Sequence, residues 1–435
     1  MSRGRISRRL AGALAQLVYR EITVQSDADL EQGPVVLVSN HFGGLSDAIL
    51  AVDATPRMPR VVARDLIWKV PVVGQLMTLA GAIPVHRKED SGSGAERNDA
   101  MFRSCYEALA ADDMILIFPE GVTQDVPHIA EVKTGAARIA LGAAATGVSG
   151  IRIVPLGLHY EDKSGFRTRA LVRVGEAIDL DAWSASVGSR DAADQETVTA
   201  LTALITARLK AAAPDYPDWD AAHSYEQAAD VLLHDIDPDA APTRYGDVAL
   251  VAGALSEQDE DASVLEAGHE YRDLLTSSRS GDLGVAAAAG RAVTGRRRWW
   301  WDAILAIILL PYALAGLSLW FLPWLAVQVV KRLPLGAAER ATFVPGTALL
   351  AFGVEWGVII WQAGDAQGWF GYALGILLPP FFLTAFLLVL ERTAAGWHKL
   401  RSVRLGRRAD RRRLVAARRA VSKANEEVLW TTSGT

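Results

Sequence analysis

His41 and Asp47 are the residues of this sequence whose types and spacing best suit acid–base chemistry. They follow an apolar run at residues 35–38, which predicts a buried strand, and the two glycines between them predict a loop. A neutral imidazole accepts a hydroxyl proton near neutral pH, while a carboxylate fixes its tautomer and stabilises the protonated ring. The pair is therefore a candidate general base, although a lone pair at this spacing is more often incidental.

Two arginines at predicted strand ends are candidate ligands for a phosphate. Arg87 ends the segment Gly81-Ala82-Ile83-Pro84-Val85-His86-Arg87, and Arg64 closes the predicted strand Val61-Val62-Ala63. A guanidinium offers forked donors that match the geometry of a phosphate. Because most arginines at strand ends simply cover a surface, each is weak evidence by itself.

A third segment, Ile117-Phe118-Pro119-Glu120-Gly121-Val122-Thr123, brings a carboxylate to the end of another predicted strand. Glu120 is placed to hydrogen-bond a polyol hydroxyl, and Gly121 to turn a backbone N–H towards an anion. Lys133 opens a predicted helix whose N-terminus favours an anion. A purely structural turn is the alternative for this segment, and the later strand with Val154-Pro155 is predicted to be core or pocket wall.

The elements that position these residues form an α/β pattern over residues 30–185. Strands alternate with helices, which predicts a mostly parallel sheet flanked by helices, with functional loops at the strand ends. The predicted strands are Val35–Ser39, Arg60–Ala63, Ala82–His86, Met114–Phe118, Ile151–Leu158 and Ala170–Val174, and the helices between them are Asp47–Val52, Pro71–Ala80, Glu96–Ala110 and Thr134–Ala145.

The segments outside this domain differ strongly in charge, which the net charge of −5 conceals. Residues 1–29 carry four arginines before an apolar run and predict an amphipathic membrane-surface helix, with an ordinary packed first helix as the alternative. Residues 186–298 predict an acidic helical extension and linker, with 17 acidic and 3 basic residues between Ala211 and Ala289. Residues 392–435 predict an Arg-rich cytoplasmic tail that contacts anionic lipid headgroups rather than nucleic acid.

Residues 299–391 predict a membrane region, since about 20 apolar residues suffice for a helix to cross a bilayer. Phe343–Trp361 and Trp369–Leu390 qualify, and their positive flanks predict a hairpin with both ends cytoplasmic. Residues 299–330 contain Pro311 and Pro323 and predict a short or re-entrant hairpin. We therefore expect an integral protein of the cytoplasmic membrane with a cytoplasmic catalytic domain; the buried core of a soluble domain is the alternative.

The sequence argues against disulfide, metal and dinucleotide chemistry. Cys105 is the only cysteine, so an intrachain disulfide is impossible and a reducing compartment is favoured. The histidines are scattered without the spacing of a zinc site, and no dinucleotide-binding fingerprint is present. We expect neither a metal nor a cofactor.

Four blocks in this order resemble the glycerolipid acyltransferase superfamily, which includes glycerol-3-phosphate and 1-acylglycerol-3-phosphate acyltransferases. The blocks are Asn40-His41 with a downstream Asp47, Gly81-x-Ile-x-Val-x-Arg87, Phe118-Pro-Glu-Gly-x-Thr123 and the Val154-Pro155 strand. Five residues separate His41 from Asp47, where the family usually has four. The longer spacing is similar to that of a membrane-bound branch acting on glycerol phosphate or dihydroxyacetone phosphate, and Gly43-Gly44 are placed to absorb the extra residue.

The resemblance implies that His41 deprotonates an acceptor hydroxyl, which attacks the thioester of acyl-CoA or acyl carrier protein, while Asp47 orients His41. It implies an acceptor site at Arg87, Glu120 and Gly121, with Arg64 and Lys133 as further phosphate or CoA ligands. The expected partners are a glycerol-phosphate or lysophospholipid acceptor, acyl-CoA and membrane lipids.

Three alternatives remain open beside a slight preference for glycerol-3-phosphate as the acceptor. The first is 1-acylglycerol-3-phosphate as the acceptor in the same reaction. The second is a non-catalytic lipid-binding membrane protein that keeps the fold. The third is an acyl-thioester hydrolase, which releases fatty acid without any acceptor.

Overall fold

The computed structural model describes residues 3–69, 73–85, 94–123, 125–163, 165–237, 243–290, 299–402 and 408–433. By contacts the chain divides into a catalytic unit, residues 1–215 with 334–346, and a helical unit, residues 216–333 with 347–435. Each unit has its own buried apolar cluster.

A mostly parallel sheet of eight strands forms the centre of the catalytic unit, which confirms the predicted fold class. The strand order is β1-β7-β6-β2-β5-β3-β4, with β8 paired to β6. The strands are β1 (Tyr19–Ser26), β2 (Val35–Ser39), β3 (Arg60–Arg64), β4 (Ile83–Val85), β5 (Met114–Ile117), β6 (Arg152–Tyr160), β7 (Thr168–Val174) and β8 (Ile178–Asp179).

The central strand β2 delivers the candidate base to the functional edge of the sheet. Every residue of β2 is buried, as expected for an apolar strand covered on both faces. Its parallel neighbours are β5 and β6, and β3 and β4 continue the parallel part beyond β5. The carboxyl ends of β2, β3, β4, β5 and β6 therefore meet at one edge, where open α/β sheets bind ligands.

Helices cover this sheet in an alternating pattern. They are α1 (Arg3–Val18), α2 (Leu45–Asp53), α3 (Val73–Leu79), α4 (Gly94–Ala110), α5 (Gly135–Ala145), α6 (Leu180–Val187) and α7 (Gln195–Ala212), with a 3-10 turn at Asp65–Lys69. Helix α7 buries Val198, Leu201, Ile205 and Leu209 in the core of the catalytic unit. This spacing is one face of a helix, so the catalytic unit extends past the boundary we expected at residue 185.

The N-terminal segment also differs from the single amphipathic helix expected over residues 1–29. Helix α1 ends at Val18, and the next eight residues form β1, which pairs in parallel with β7 at the edge of the sheet. Ala15 and Val18 are buried in the core, and Arg8 donates a hydrogen bond to the carbonyl of Thr55. The alternating polar and apolar residues of β1 are the signal of this strand.

The acidic middle region is a helical bundle rather than a linker. Its helices are α8 (Trp219–Ile236), α9 (Tyr245–Gln258), α10 (Ser263–Ser278) and α11 (Asp282–Ala288), and α14 (Arg408–Ser433) packs against all four. The apolar face of α14 is buried in their core through Leu414, Ala417, Val421, Ala424 and Val428. The Arg-rich tail therefore completes the acidic bundle, because burying this apolar face is lower in free energy than leaving it exposed to water.

Helix α12 (Trp299–Arg332) is one continuous helix of 34 residues through both prolines, where we had expected a hairpin. A proline removes one helical hydrogen bond, whereas a turn within apolar surroundings leaves several backbone groups without partners, so continuing the helix is favoured. Helix α13 (Ala337–Ser402) is kinked at Gly368, where φ is +63°, and its two arms form a hairpin. Both α12 and α13 are long and apolar enough to cross a bilayer, as fits a membrane-associated chain.

Two tryptophans inside this region donate hydrogen bonds to backbone carbonyls. Pro379 has no N–H, so the helical acceptor four residues earlier, the carbonyl of Gly375, lacks its usual donor. Trp356 donates its indole N–H to that carbonyl at 3.0 Å. Trp320 is buried, stacks on Phe352 and donates to the carbonyl of Pro379.

Candidate functional site

His41 and Asp47 form a hydrogen-bonded pair at the carboxyl end of β2. The Nδ1 atom of His41 lies 2.8 Å from Oδ2 of Asp47, so the five intervening residues do not prevent the contact. Gly44 takes φ +60° and ψ −114°, a conformation that other residues rarely adopt, and it begins α2, which carries Asp47. Gly44 therefore supplies the backbone conformation that joins the His41 loop to α2.

Asp47 is fully buried, and its carboxylate is surrounded by donors. The backbone N–H of Gly43 donates to both oxygens, at 3.0 and 2.8 Å, and the Tyr160 hydroxyl donates to Oδ1. Asp47 also lies in the first turn of α2, where the helix dipole favours an anion. These contacts stabilise a carboxylate that burial alone would make unfavourable.

The other ring nitrogen of His41 faces the Phe118–Thr123 loop. Its Nε2 lies 3.0 Å from the hydroxyl oxygen of Thr123, and its ring stacks on Phe118 with centroids 4.3 Å apart. The histidine side chain is about one-fifth exposed, whereas Asp47 is inaccessible. The buried acid holds Nδ1, so Nε2 is the atom presented to a hydroxyl group.

Glu120 holds the His41 loop rather than facing a ligand. Its Oε1 accepts the backbone N–H of His41 at 2.8 Å, and its Oε2 accepts the backbone N–H of Ala130 at 3.2 Å. Burial raises the pKa of Glu120, and the N–H donors of His41 and Ala130 offset that effect only in part. This use of both oxygens differs from the polyol contact that we expected.

Gly121 and Lys133 lie together beside this loop. Gly121 has φ +68° and donates its N–H to the carbonyl of Phe118, so that N–H closes a turn instead of facing an anion as expected. A Cβ on Gly121 would lie 3.1 Å from Nζ of Lys133. Lys133 is exposed and donates its backbone N–H to the carbonyl of Pro119, which places its ammonium at the edge of the candidate site.

Arg64 lies at the same sheet edge, two strands from His41. It ends β3 and is paired in register with Val85, the last residue of β4. Strands lie about 4.8 Å apart, so Arg64 is displaced from the end of β2 by roughly 10 Å across the sheet. Arg87 follows β4 by two positions and lies outside the described residues.

Sequence reasoning did not assign a role to Tyr160 or Thr123, although both contact the pair. Thr123 stands in the Phe-Pro-Glu-Gly-x-Thr block, which was the available signal. Tyr160 gave no signal, because it ends an almost completely buried strand and meets Asp47 only through pairing of β6 with β2.

Within the described residues, one group of side chains has the spacing of a metal site, and it lies in the helical unit. It consists of Asp230, His234 and Asp282. Asp282 already accepts hydrogen bonds from His234, Tyr271 and Arg418. Because a buried guanidinium occupies the position where a cation would bind, this group is better suited to an ion-pair network.

Comparison with known families places the site within a matched region. The family model described as Acyltransferase matches residues 21–159, which include His41, Asp47, Arg64, Glu120 and Lys133. Tyr160 is the first residue beyond the match.

Curated relatives match the same part of the chain. Glycerol-3-phosphate O-acyltransferase 2 of Saccharomyces cerevisiae is 36% identical over 124 residues, which are 28% of this chain and 16% of the yeast protein. Lyso-ornithine lipid O-acyltransferase of Rhizobium meliloti is 28% identical over 147 residues, which are 33% of this chain and 47% of that protein. The chain thus spans less than half the length of either relative.

Among solved structures, the 1-acyl-sn-glycerophosphate acyltransferase of Thermotoga maritima is similar with a TM-score of 0.34 and 14% identity. The similarity covers 47% of this chain and 78% of that one.

Proposed function

We propose that the chain is a membrane-bound acyl-CoA-dependent O-acyltransferase of phospholipid synthesis, since the family model described as Acyltransferase matches residues 21–159. The observation that carries the proposal is the His41–Asp47 pair, whose Nε2 faces the Thr123 hydroxyl at 3.0 Å. The Thr123 hydroxyl shows that an alcohol oxygen can lie within hydrogen-bonding distance of Nε2 of His41.

In the proposed reaction, the acceptor hydroxyl takes a position beside Nε2 of His41 and loses its proton to that atom. The oxygen attacks the thioester carbonyl, an ester C–O bond forms, and the C–S bond breaks. The proton on His41 then passes to the departing thiolate. Asp47 stabilises the protonated imidazole, and general-base help of this kind is worth about 10²–10⁴-fold. Acyl carrier protein is the alternative thioester donor.

The phosphate of the acceptor is proposed to bind between the ends of β3 and β4. Arg64 lies at this edge. Arg87 is proposed as a phosphate ligand because it ends the Gly81–Arg87 block, which contains β4. Lys133, beside Gly121, is proposed as a third cation. Glu120 is proposed to position the backbone of His41 rather than to contact the acceptor.

Glycerol-3-phosphate is the preferred acceptor, since the yeast relative carries that substrate in its name. A lysolipid is the second candidate, because the Rhizobium relative is named for a lyso-ornithine lipid. Both acceptors present a free hydroxyl to the same base. They differ in apolar surface, because the lysolipid carries an acyl chain that the site must cover and glycerol-3-phosphate does not.

We propose that the catalytic unit and both ends of the membrane region face the cytoplasm. Helix α11 precedes the membrane region, α14 follows it, and the two pack against each other, so both lie on one side. Helix α13 turns back at Gly368, so the two ends of its hairpin lie on the same side. Lys331 and Arg332 at the end of α12 favour the cytoplasmic face, so the loop between α12 and α13 is proposed to lie on that same side.

The deciding experiment offers the purified full chain labelled palmitoyl-CoA with glycerol-3-phosphate, with 1-acylglycerol-3-phosphate, or with no acceptor. Product from glycerol-3-phosphate supports the preferred acceptor, and product only from the lysolipid replaces it. Fatty acid released without acceptor identifies a thioesterase. If no arm exceeds the His41→Ala variant, the chain is not catalytic under this proposal and the lipid-binding alternative is favoured.

A further inference from the structure

Tyr160 completes the donor set around Asp47. It is the last residue of β6 and is 5% exposed. Its hydroxyl donates to Oδ1 of Asp47, while Oδ2 is the oxygen that meets His41. The two oxygens of one buried carboxylate are therefore held by different side chains, with Gly43 donating to both.

We propose that Tyr160 is a positioning residue for the acyl transfer, acting through Asp47 on the basicity and orientation of His41. This inference rests on the proposed function. Without this hydroxyl, the carboxylate would be held by Gly43 and His41 alone, and its terminal torsion is intrinsically broad. A hydroxyl bond to Oδ1 fixes that torsion, so that Oδ2 stays directed at Nδ1.

The surroundings of Tyr160 hold its phenol ring in place. The side-chain amide of Asn40, next to His41, bonds both the N–H and the carbonyl of Leu158, at 2.7 and 3.0 Å. This ties the end of β6 to the end of β2 just before Tyr160. The ring of Tyr19, from β1, lies 6.2 Å from the Tyr160 ring and is itself buried. The phenol thus reaches Asp47 from a rigid part of the sheet.

The helical unit contains a matched control for this arrangement. Tyr271 donates to Oδ1 of the buried Asp282 at 2.6 Å, and Nδ1 of His234 lies 3.0 Å from Oδ2 of the same carboxylate. The pattern of tyrosine, aspartate and histidine is the same as at the candidate site. Because this second group lies in the other unit, Tyr271→Phe removes an equivalent bond without touching the base.

The experiment compares Tyr160→Phe and Tyr271→Phe with the wild-type full chain. We expect Tyr160→Phe to lower kcat by about 10- to 100-fold, the range for one hydrogen bond to a charged group, with little change in KM for palmitoyl-CoA. The more concentrated negative charge on Asp47 favours protonated His41, so the acidic limb of the kcat profile moves to higher pH. Tyr271→Phe should leave both kcat and the limb unchanged.

A second readout keeps this test separate from the proposed function. In ¹⁵N-histidine-labelled protein, the His41 ring signals, assigned with His41→Ala, should titrate at higher pH in Tyr160→Phe than in wild type. If wild type transfers no acyl group, the proposed function fails while this titration still judges Tyr160. If Tyr160→Phe matches wild type in the His41 titration, or in kcat and pH profile where wild type is active, the positioning role is wrong.

Discussion

The carboxylate of Glu120 accepts the backbone N–H of His41 at 2.8 Å, which joins the loop after β5 to the loop after β2. The second carboxylate oxygen takes the N–H of Ala130, so Glu120 also fixes the far end of its own loop. Thr123 lies in this loop, between Glu120 and Ala130 in sequence, and contacts Nε2 of His41. The position of the candidate base thus depends on a carboxylate that itself has no access to solvent.

Replacing Glu120 tests this dependence through stability. In Glu120→Gln one backbone N–H meets an NH₂ group instead of an acceptor, which should cost about 1–3 kcal/mol of unfolding free energy and reduce acyl transfer. Thermal unfolding and the palmitoyl-CoA assay measure both. Glu131→Gln, at an exposed glutamate, is the control and should change neither.

Burial raises the pKa of Glu120, so the difference in stability between wild type and Glu120→Gln should depend on pH. The folded state holds this proton more tightly than the unfolded state, whose pKa is near 4.5. Stability from this group is therefore greatest below that value and falls as pH rises through the raised pKa. The stability advantage of wild type over Glu120→Gln should shrink as pH rises through this window; an advantage that grows instead would contradict the burial argument.

The conformation of Gly44 gives a separate prediction about the longer His–Asp spacing. An alanine at φ +60° and ψ −114° should cost about 1–3 kcal/mol in strain and should reduce activity as well, because α2 then no longer presents Asp47 to His41. Gly150→Ala is the matched control, with φ +70° and open space around the added methyl group. We expect Gly150→Ala to lose stability but keep activity. Equal activity of the two variants in the acyl-transfer assay would show that the turn is not needed.

Local patterns of the sequence predicted the sheet and the pair, because both depend on neighbours along the chain. The apolar run of β2 and the glycines after His41 are such signals. Tyr160 and the role of Glu120 were not predictable in this way, since each depends on a contact made across strands. The bundle formed by α14 with the acidic helices was missed for the same reason: its apolar positions are spaced for a helix, but nothing local identifies their partner.

Arg418 should stabilise the bundle through two acids, the buried Asp282 and the partly buried Asp235. It is 2% exposed and pairs with Asp282 and Asp235, each at 2.9 Å. Arg418→Met leaves both carboxylates without their cation, and since Asp282 is buried this should cost about 3–5 kcal/mol. The exposed neighbour Arg419→Met is the control and should change the unfolding free energy little. Chemical denaturation followed by circular dichroism makes the comparison, and equal values for the two variants would refute the ion-pair argument.

The same network predicts the response of the bundle to acid. Burial opposes the charge on Asp282, but the hydrogen bond from His234 and the charge of Arg418 outweigh it and lower its pKa to about 2. Because the folded pKa lies below the unfolded one, this stabilisation is present above about pH 4 and is lost as pH falls towards 2. Arg418→Met should weaken this loss. Unfolding free energies at several pH values between 2 and 5 provide the measurement.

The proposed sidedness of the membrane region rests on the contact between α11 and α14, and cysteine labelling tests it. In a Cys105→Ala background, an impermeant maleimide applied to intact cells should label Gln367→Cys, at the α13 turn. Leu333→Cys, after α12, and Glu260→Cys, in the bundle, should react only after the membrane is opened. The reason is that a bundle cannot form from helices on opposite sides, so the chain crosses an even number of times. If Leu333→Cys reacts in intact cells while Glu260→Cys does not, α12 crosses completely, and α14 cannot then remain packed on α11 in the membrane.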